Sequence, residues 1–227
     1  MPKKTKHTKA SDKKKAWYKK QIKKRPYKIE SEEKEKTFLI ICEGQNTEPE
    51  YFESFPVRTA EVVSYGLGSS KTKLVELAID ARKEDKEEEV WVVFDMDIQR
   101  DNADKIKADY ENAIELAKSK NIKVAYSNDA FELWFLLHYQ YFDNQWTRYE
   151  YYDKLSELWS CNYEKMGKNI AFAKTIYKRL EEDENADQAQ AIRRAEKLLK
   201  NQEDADYAEK NPATNVHSLV DELNKHF

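Results

Sequence analysis

The stretch "FLIICEGQNTEPEYF", Phe38–Phe52, opens on five apolar residues and closes on a helix signal. The apolar run belongs to a strand over Thr37–Cys42. Thr47–Phe55 then reads as a short helix, with Thr47 as its cap and Glu50 completing a capping box three residues on. A strand running into a helix is half of a β-α-β unit, and the alternation recurs downstream. Ala60–Tyr65 is a weaker strand. Ser70–Lys86 is helical, with Leu74, Leu77, Ala78 and Ala81 on one face. "VWVVF", Val90–Phe94, is a buried strand. Asp101–Lys120 is a helix that places Ile106, Tyr110, Ala113, Ile114 and Ala117 together. Ile122–Tyr126 is a fourth strand, and Asp129–Tyr139 is an apolar helix capped by Ser127 or Asn128 with Asp129 in its first turn.

Strands alternating with helices of this length predict an α/β fold with a parallel sheet of about four strands flanked by helices. Beyond about residue 150 no further strand is evident. Lys168–Asp183 and Asp187–Gln202 have amphipathic spacing, and "NPATNVHSLVDELNKHF" is a final turn and helix. The expected organisation is a basic tail over 1–28, a catalytic core over 37–150 and a helical C-terminal extension over 151–227 packing on that core.

Charged residues make up 37% of the 227, and there are only four glycines, the composition of a helix-rich, well-solvated protein. No apolar run approaches the roughly 18 residues needed to cross a bilayer. The N-terminal lysines have no apolar segment behind them, unlike a secretory signal. Two cysteines, Cys42 and Cys161, cannot form a disulfide framework. A cytoplasmic location is expected. The net charge of −3 hides an asymmetry: residues 1–28 hold thirteen Lys or Arg against a single acid, Asp12. Trp17, Tyr18 and Tyr27 lie among those lysines. Basic charge suits phosphate backbones and aromatic rings stack on bases, so the tail points to nucleic acid; a solubilising tail is the plainer alternative.

The acids are placed where such a sheet collects ligands. Glu43 directly follows the first strand. Asp95 and Asp97 end the third, in "VWVVFDMD". Ligands gather outside the carboxyl ends of parallel strands, and in doubly wound orders the first and third strands are often neighbours. Two unit charges about 4 Å apart repel by about 4 kcal/mol at an effective dielectric near 20. A divalent cation, a protonated carboxyl or basic side chains must offset this. All-oxygen ligands select a hard cation, Mg²⁺ or Mn²⁺. Glu132 sits in an apolar helix and is either turned to solvent or aimed at a partner. His138 is read as a satisfied core histidine. The loop flanked by Gly66 and Gly68 lacks a phosphate-loop lysine-threonine pattern and is assigned no chemistry.

"IICEGQNTEPEYFESF", "VWVVFDMD", "SNDAFELWFLLHY" and the late "NPATNVHSLVDEL" together resemble the RloB-like family, over roughly residues 25–227. That family is similar to the Toprim superfamily, alongside the OLD-type nucleases. The resemblance implies a Toprim-like fold and Mg²⁺-dependent (or Mn²⁺-dependent) hydrolysis of nucleic-acid phosphodiesters, with Glu43, Asp95 and Asp97 as core metal ligands. Glu48, Ser127 and Glu132 are the nearest matches to further OLD-type ligands, though the spacing departs from that pattern. Glu43, Asp95, Asp97 and Glu132 are the implied catalytic set, and Lys165 and Lys168 are candidates for a completing lysine. The resemblance further implies a phage-defence (abortive infection) effector working with a partner ATPase, since this chain has no P-loop of its own. DNA, RNA and tRNA are all admissible substrates, and a homo-oligomer is admissible too. Two other readings differ in class. A haloacid-dehalogenase-like phosphatase would use Asp95 as nucleophile, but Ile98-Gln99 stands where a Gly-Thr is usual, and the Glu43 cluster is left without a role. A non-catalytic nucleic-acid-binding or assembly module would use the tail and the helical third.

Overall fold

The computed structural model describes residues 36–82 and 88–227. The basic stretch 1–28 lies outside the described residues, as does the end of the helix expected over Ser70–Lys86. Five strands form one sheet: β1 (Lys36–Cys42), β2 (Ala60–Gly66), β3 (Glu88–Asp95), β4 (Lys123–Asn128) and β5 (Ala213–Thr214), in the order β2-β1-β3-β4-β5. The first four are parallel, as the alternation predicts. The fifth runs antiparallel to β4, pairing Ser127 with Thr214 and Asn128 with Ala213. Two residues are too few to leave a periodic signal, so this strand is a structural addition to the expected four.

Both faces of the sheet are covered, which is why its strands read as nearly unbroken apolar runs. Alternate residues serve opposite cores. Phe38, Ile40, Cys42, Trp91 and Val93 join one buried cluster; Leu39, Ile41, Val90, Val92 and Phe94 join the other. The second face is covered by α2 (Lys71–Ala81) and α3 (Ala103–Ser119), with Leu74, Ala78, Tyr110, Ala113 and Ile114 turned inward. The first face carries α1 (Thr47–Glu53) and α4 (Glu132–Leu137). Around these lie α5 (Arg148–Leu158), α6 (Tyr163–Met166), α7 (Ile170–Glu182), α8 (Gln188–Lys200) and α9 (Val216–Asn224). Every residue of α4 from Leu133 to Leu137 is fully buried, as expected of a helix apolar on all sides. It packs against the sheet, α5 and α8. Among the described residues no helix is long and apolar enough to cross a membrane.

Two local expectations are corrected, and one helix is added. Thr47 is not the cap of α1. Asn46 holds that place without a side-chain capping bond, and the Thr47 hydroxyl instead donates to the Gly167 carbonyl at 2.8 Å. A capping box does exist further on, where Glu150 Oε2 accepts from the Thr147 backbone N–H at 2.7 Å and so starts α5. That helix has no counterpart in the sequence reading. Asp129 does not enter a helix either. β4 continues through Asn128, and the Asp129 carboxylate accepts from the Ile98 N–H at 2.9 Å and the Arg148 N–H at 3.2 Å.

Candidate metal centre at the sheet switch point

The strand order turns outward in both directions between β1 and β3, and a crevice opens at such a point beyond the carboxyl ends. Glu43 is fixed there because its backbone N–H donates to the Val93 carbonyl at 2.8 Å. Asp95 lies two residues past Val93 and pairs in register with Ser127 on β4. The Met96 N–H donates to the Ser127 carbonyl at 2.8 Å, and the Asp97 N–H to the Asp129 carbonyl at 3.1 Å. Asp97 has a φ of 49°, in the left-handed region that Asp tolerates better than most residues. The turn after β1 is tight. A Cβ on Gly44 would collide with the Glu48 carboxylate, and one on Gly66 would collide with the backbone of Gly44 and Gln45. The loops after β1 and β2 therefore lie against each other, tied by the Gly68 N–H donating to the Glu43 carbonyl at 3.0 Å.

Four of the expected ligands share one electrostatic neighbourhood. Burial is the main cause that pushes the Glu43 carboxyl up to about 7, with Asp95 and Asp97 adding to the rise and Lys71 opposing it. Glu48 is pushed up to about 8, by burial first and then by the charges of Asp95, Glu132 and Glu43. Glu132 is pushed up to about 7, again by burial and then by Asp95; the Tyr163 hydroxyl donating to Oε1 at 3.0 Å pulls the other way. Asp95 is raised by burial, while Arg148 and Lys71 lower it. Glu132 thus faces the acids rather than solvent, which settles the ambiguity left by its apolar surroundings. Asp97 lies at the more open edge and is joined to Asp95 through Arg148.

Two cations enter this cluster, and neither was singled out from the sequence. Lys71 Nζ lies 3.2 Å from Glu43 Oε1. Arg148 Nη2 lies 2.7 Å from Asp97 Oδ1 and 3.5 Å from Asp95 Oδ2. Lys71 opens α2 just beyond the Gly66–Gly68 loop, so a loop assigned no chemistry delivers a basic group to the site. Arg148 opens α5, whose "TRYE" capping signature was the available signal. The lysines that were singled out do otherwise. Lys165 and Lys168 are exposed, and it is their backbones that bond: the Lys165 N–H donates to Asn162, and the Lys168 carbonyl accepts from Asn46 Nδ2 at 2.8 Å. Ser127 is fully buried with its hydroxyl 2.8 Å from that of Thr214, so its partner is β5. His138 is a core residue. Its ring bonds to the Trp134 carbonyl at 3.0 Å, and burial lowers it to about 4, leaving it neutral.

Among the described residues no three of His, Cys, Asp and Glu stand grouped at metal-ligand spacing. Lys71 pairs with Glu43, and Arg148 lies against both Asp95 and Asp97. The donor set still fits a hard cation. All four converging groups are carboxyls whose pKa is raised by burial and mutual repulsion, and Glu43 Oε2 is buried without a hydrogen-bond partner. Glu43, Glu48, Asp95 and Glu132, with Asp97 at the edge, are the residues able to hold it.

No curated protein and no solved structure matches the chain. The family model described as "RloB-like protein" matches residues 38–223. That span runs from β1 into α9 and includes every carboxylate of the cluster, as well as Lys71 and Arg148, so the chain belongs to the RloB-like family.

Proposed function

We propose that this protein is a Mg²⁺- or Mn²⁺-dependent nuclease of Toprim type, acting on nucleic-acid phosphodiesters. The observation that carries the reading is the convergence of Glu43, Glu48, Asp95 and Glu132 at the switch point, each raised by burial and by its neighbours' charge. A carboxyl raised in this way gains from a divalent cation, which takes the place of any proton it carries and releases that proton to solvent. When bound, such a cation polarises a phosphoryl oxygen and makes water nucleophilic near neutral pH. Glu43 and Asp95 would be the central ligands, and Glu48, Asp97 and Glu132 would complete the set. Tyr163 orients Glu132 through the hydrogen bond to Oε1. Asp129 holds the Asp95–Asp97 loop and the start of α5 at a fixed separation by accepting from both. The basic stretch 1–28 supplies charge suited to the substrate backbone. A role as a phage-defence effector under a partner ATPase follows from the family resemblance, and tRNA, other RNA and DNA are the substrate classes to test.

The test incubates purified protein with plasmid DNA, total tRNA and single-stranded oligonucleotides in Mg²⁺, Mn²⁺ or EDTA, beside Glu43→Ala and Asp95→Ala. Even groups that only support a metal ligand typically cost 10–100-fold when removed, so loss of a direct ligand is expected to lower cleavage by about a hundredfold or more. Circular dichroism should show both variants folded. Cleavage that persists in EDTA or in Asp95→Ala would sink the reading. The second reading, a non-catalytic nucleic-acid-binding module, is favoured by one observation: Lys71 and Arg148 already neutralise the acids. It predicts metal-independent binding and no cleavage with any divalent ion, with or without the partner ATPase.

A further inference from the structure

Arg148 is placed to do two things in turn. Its Nη2 lies within 3.5 Å of both Asp95 and Asp97, so it stands where a cation shared by those carboxylates would be. Nη2 is buried, yet it makes no aligned hydrogen bond to either acid. The contact is Coulombic rather than a bidentate fork, and bidentate forks are the strongly held arrangement. The backbone of Arg148 is anchored separately, its N–H donating to Asp129 Oδ2 at 3.2 Å at the first turn of α5. The side chain is about one-fifth exposed. An anchored backbone, a loosely aligned guanidinium and an open side together allow the head to leave the acids while α5 stays in place.

We propose that Arg148 is a displaceable counter-ion that becomes a phosphate ligand: it neutralises Asp95 and Asp97 until a divalent cation takes its place, and the released guanidinium then binds the phosphodiester beside that cation. Arginine suits the second task because its planar fork matches phosphate oxygens. The first half concerns metal affinity alone. The second half rests on the nuclease reading above and names a residue that would hold its substrate.

The two halves move in opposite directions on removal of the side chain, which a merely structural residue would not do. Mn²⁺ binding is measured by titration calorimetry on the full chain and on Arg148→Ala. The affinity of a phosphorothioate-linked oligonucleotide, chosen to resist hydrolysis, is then measured at saturating Mn²⁺. Arg148→Ala is expected to bind Mn²⁺ about tenfold more tightly and the oligonucleotide about tenfold more weakly. Lys174→Ala, which removes an exposed cation 3.8 Å from Glu50, controls for general charge and should change neither by more than about twofold. Unchanged or weaker Mn²⁺ binding in Arg148→Ala overturns the proposal, as does unchanged oligonucleotide affinity. Should Arg148→Ala fail to fold, Arg148→Lys keeps the charge but loses the fork. It is expected to leave Mn²⁺ affinity within about twofold, because the charge beside the acids stays, and to weaken the oligonucleotide by about threefold; unchanged oligonucleotide affinity in it also overturns the proposal. A wild-type protein that cleaves nothing would count against the nuclease reading alone, because the Mn²⁺ comparison does not depend on turnover.

Discussion

Gly44, in the loop after β1, and Gly66, the last residue of β2, lie close together at the mouth of the site and are constrained by different atoms. A side chain at Gly44 would meet the end of the Glu48 side chain; one at Gly66 would meet the Gly44–Gln45 backbone. A carboxylate can swing aside and a backbone cannot. Gly44→Ala is therefore expected to cost about 1 kcal/mol of stability but to weaken Mn²⁺ binding, because Glu48 is turned away from the acids. Gly66→Ala should cost about 3 kcal/mol, since overpacking there shifts main chain. Thermal melting of the two variants checks the order, and a larger drop for Gly44→Ala would contradict it. Glu43, Asp95 and Asp97 were legible because each follows an apolar strand, and strand ends are where such sheets place ligands. Lys71 and Arg148 were not. Each is an ordinary basic residue at the start of a helix, and its partner lies far away in sequence, 28 residues away for Lys71. Ser127 was expected to cap a helix or to match a further metal ligand; it lies in β4 instead, and its partner Thr214 was hidden in a strand of two residues.

Among the elements, α5 begins on a capping box. Glu150 Oε2 accepts from both the N–H and the hydroxyl of Thr147, at 2.7 and 3.1 Å, and Arg148 follows immediately. Glu150→Ala removes that box and is expected to cost about 1 kcal/mol, seen as a fall in melting temperature of about 2–4 °C for a chain of this size. No change in melting would mean that the packing of Tyr151 and Leu155 alone sets the start of α5. The same logic accounts for what the sequence made plain and what it concealed. Long amphipathic helices such as α3 and α8 appear within a few residues of their expected bounds, because many periodic positions vote together. Thr47 and Glu50 had the pattern of a capping box, but tertiary structure redirected the Thr47 hydroxyl to Gly167. Local pattern proposes a bond, and a distant carbonyl at better geometry takes it.

Across the whole molecule, the raised carboxyls make stability depend on pH in a direction opposite to that of a surface salt bridge. Glu43, Glu48 and Glu132 titrate near 7 or 8 when folded and near 4.5 when unfolded. Between those limits the folded chain holds more protons than the unfolded one, so stability falls as pH rises from about 4.5 to about 8. Divalent cation should reverse the loss. At about a hundredfold excess over Kd, Mn²⁺ is expected to raise the melting temperature by about 5–10 °C at pH 8 and by clearly less at pH 5.5, where it must displace protons. Melting curves at the two pH values with and without Mn²⁺ check this. Equal shifts at both would show that the acids do not take up the ion as a group.

The pairing of β4 with β5 has a consequence for the newly made chain. Ser127 leaves the ribosome 87 residues before Thr214. At roughly 5–20 residues per second, that is about 4–17 s during which the β4 edge has no neighbour on that side. An open parallel edge invites the wrong partner, and the strand that ends beside Asp95 is the one left waiting. Ribosome-bound chains halted between these two points would have the acids already translated but the flank of their sheet unfinished. The interval of synthesis itself thus separates making the site from completing it.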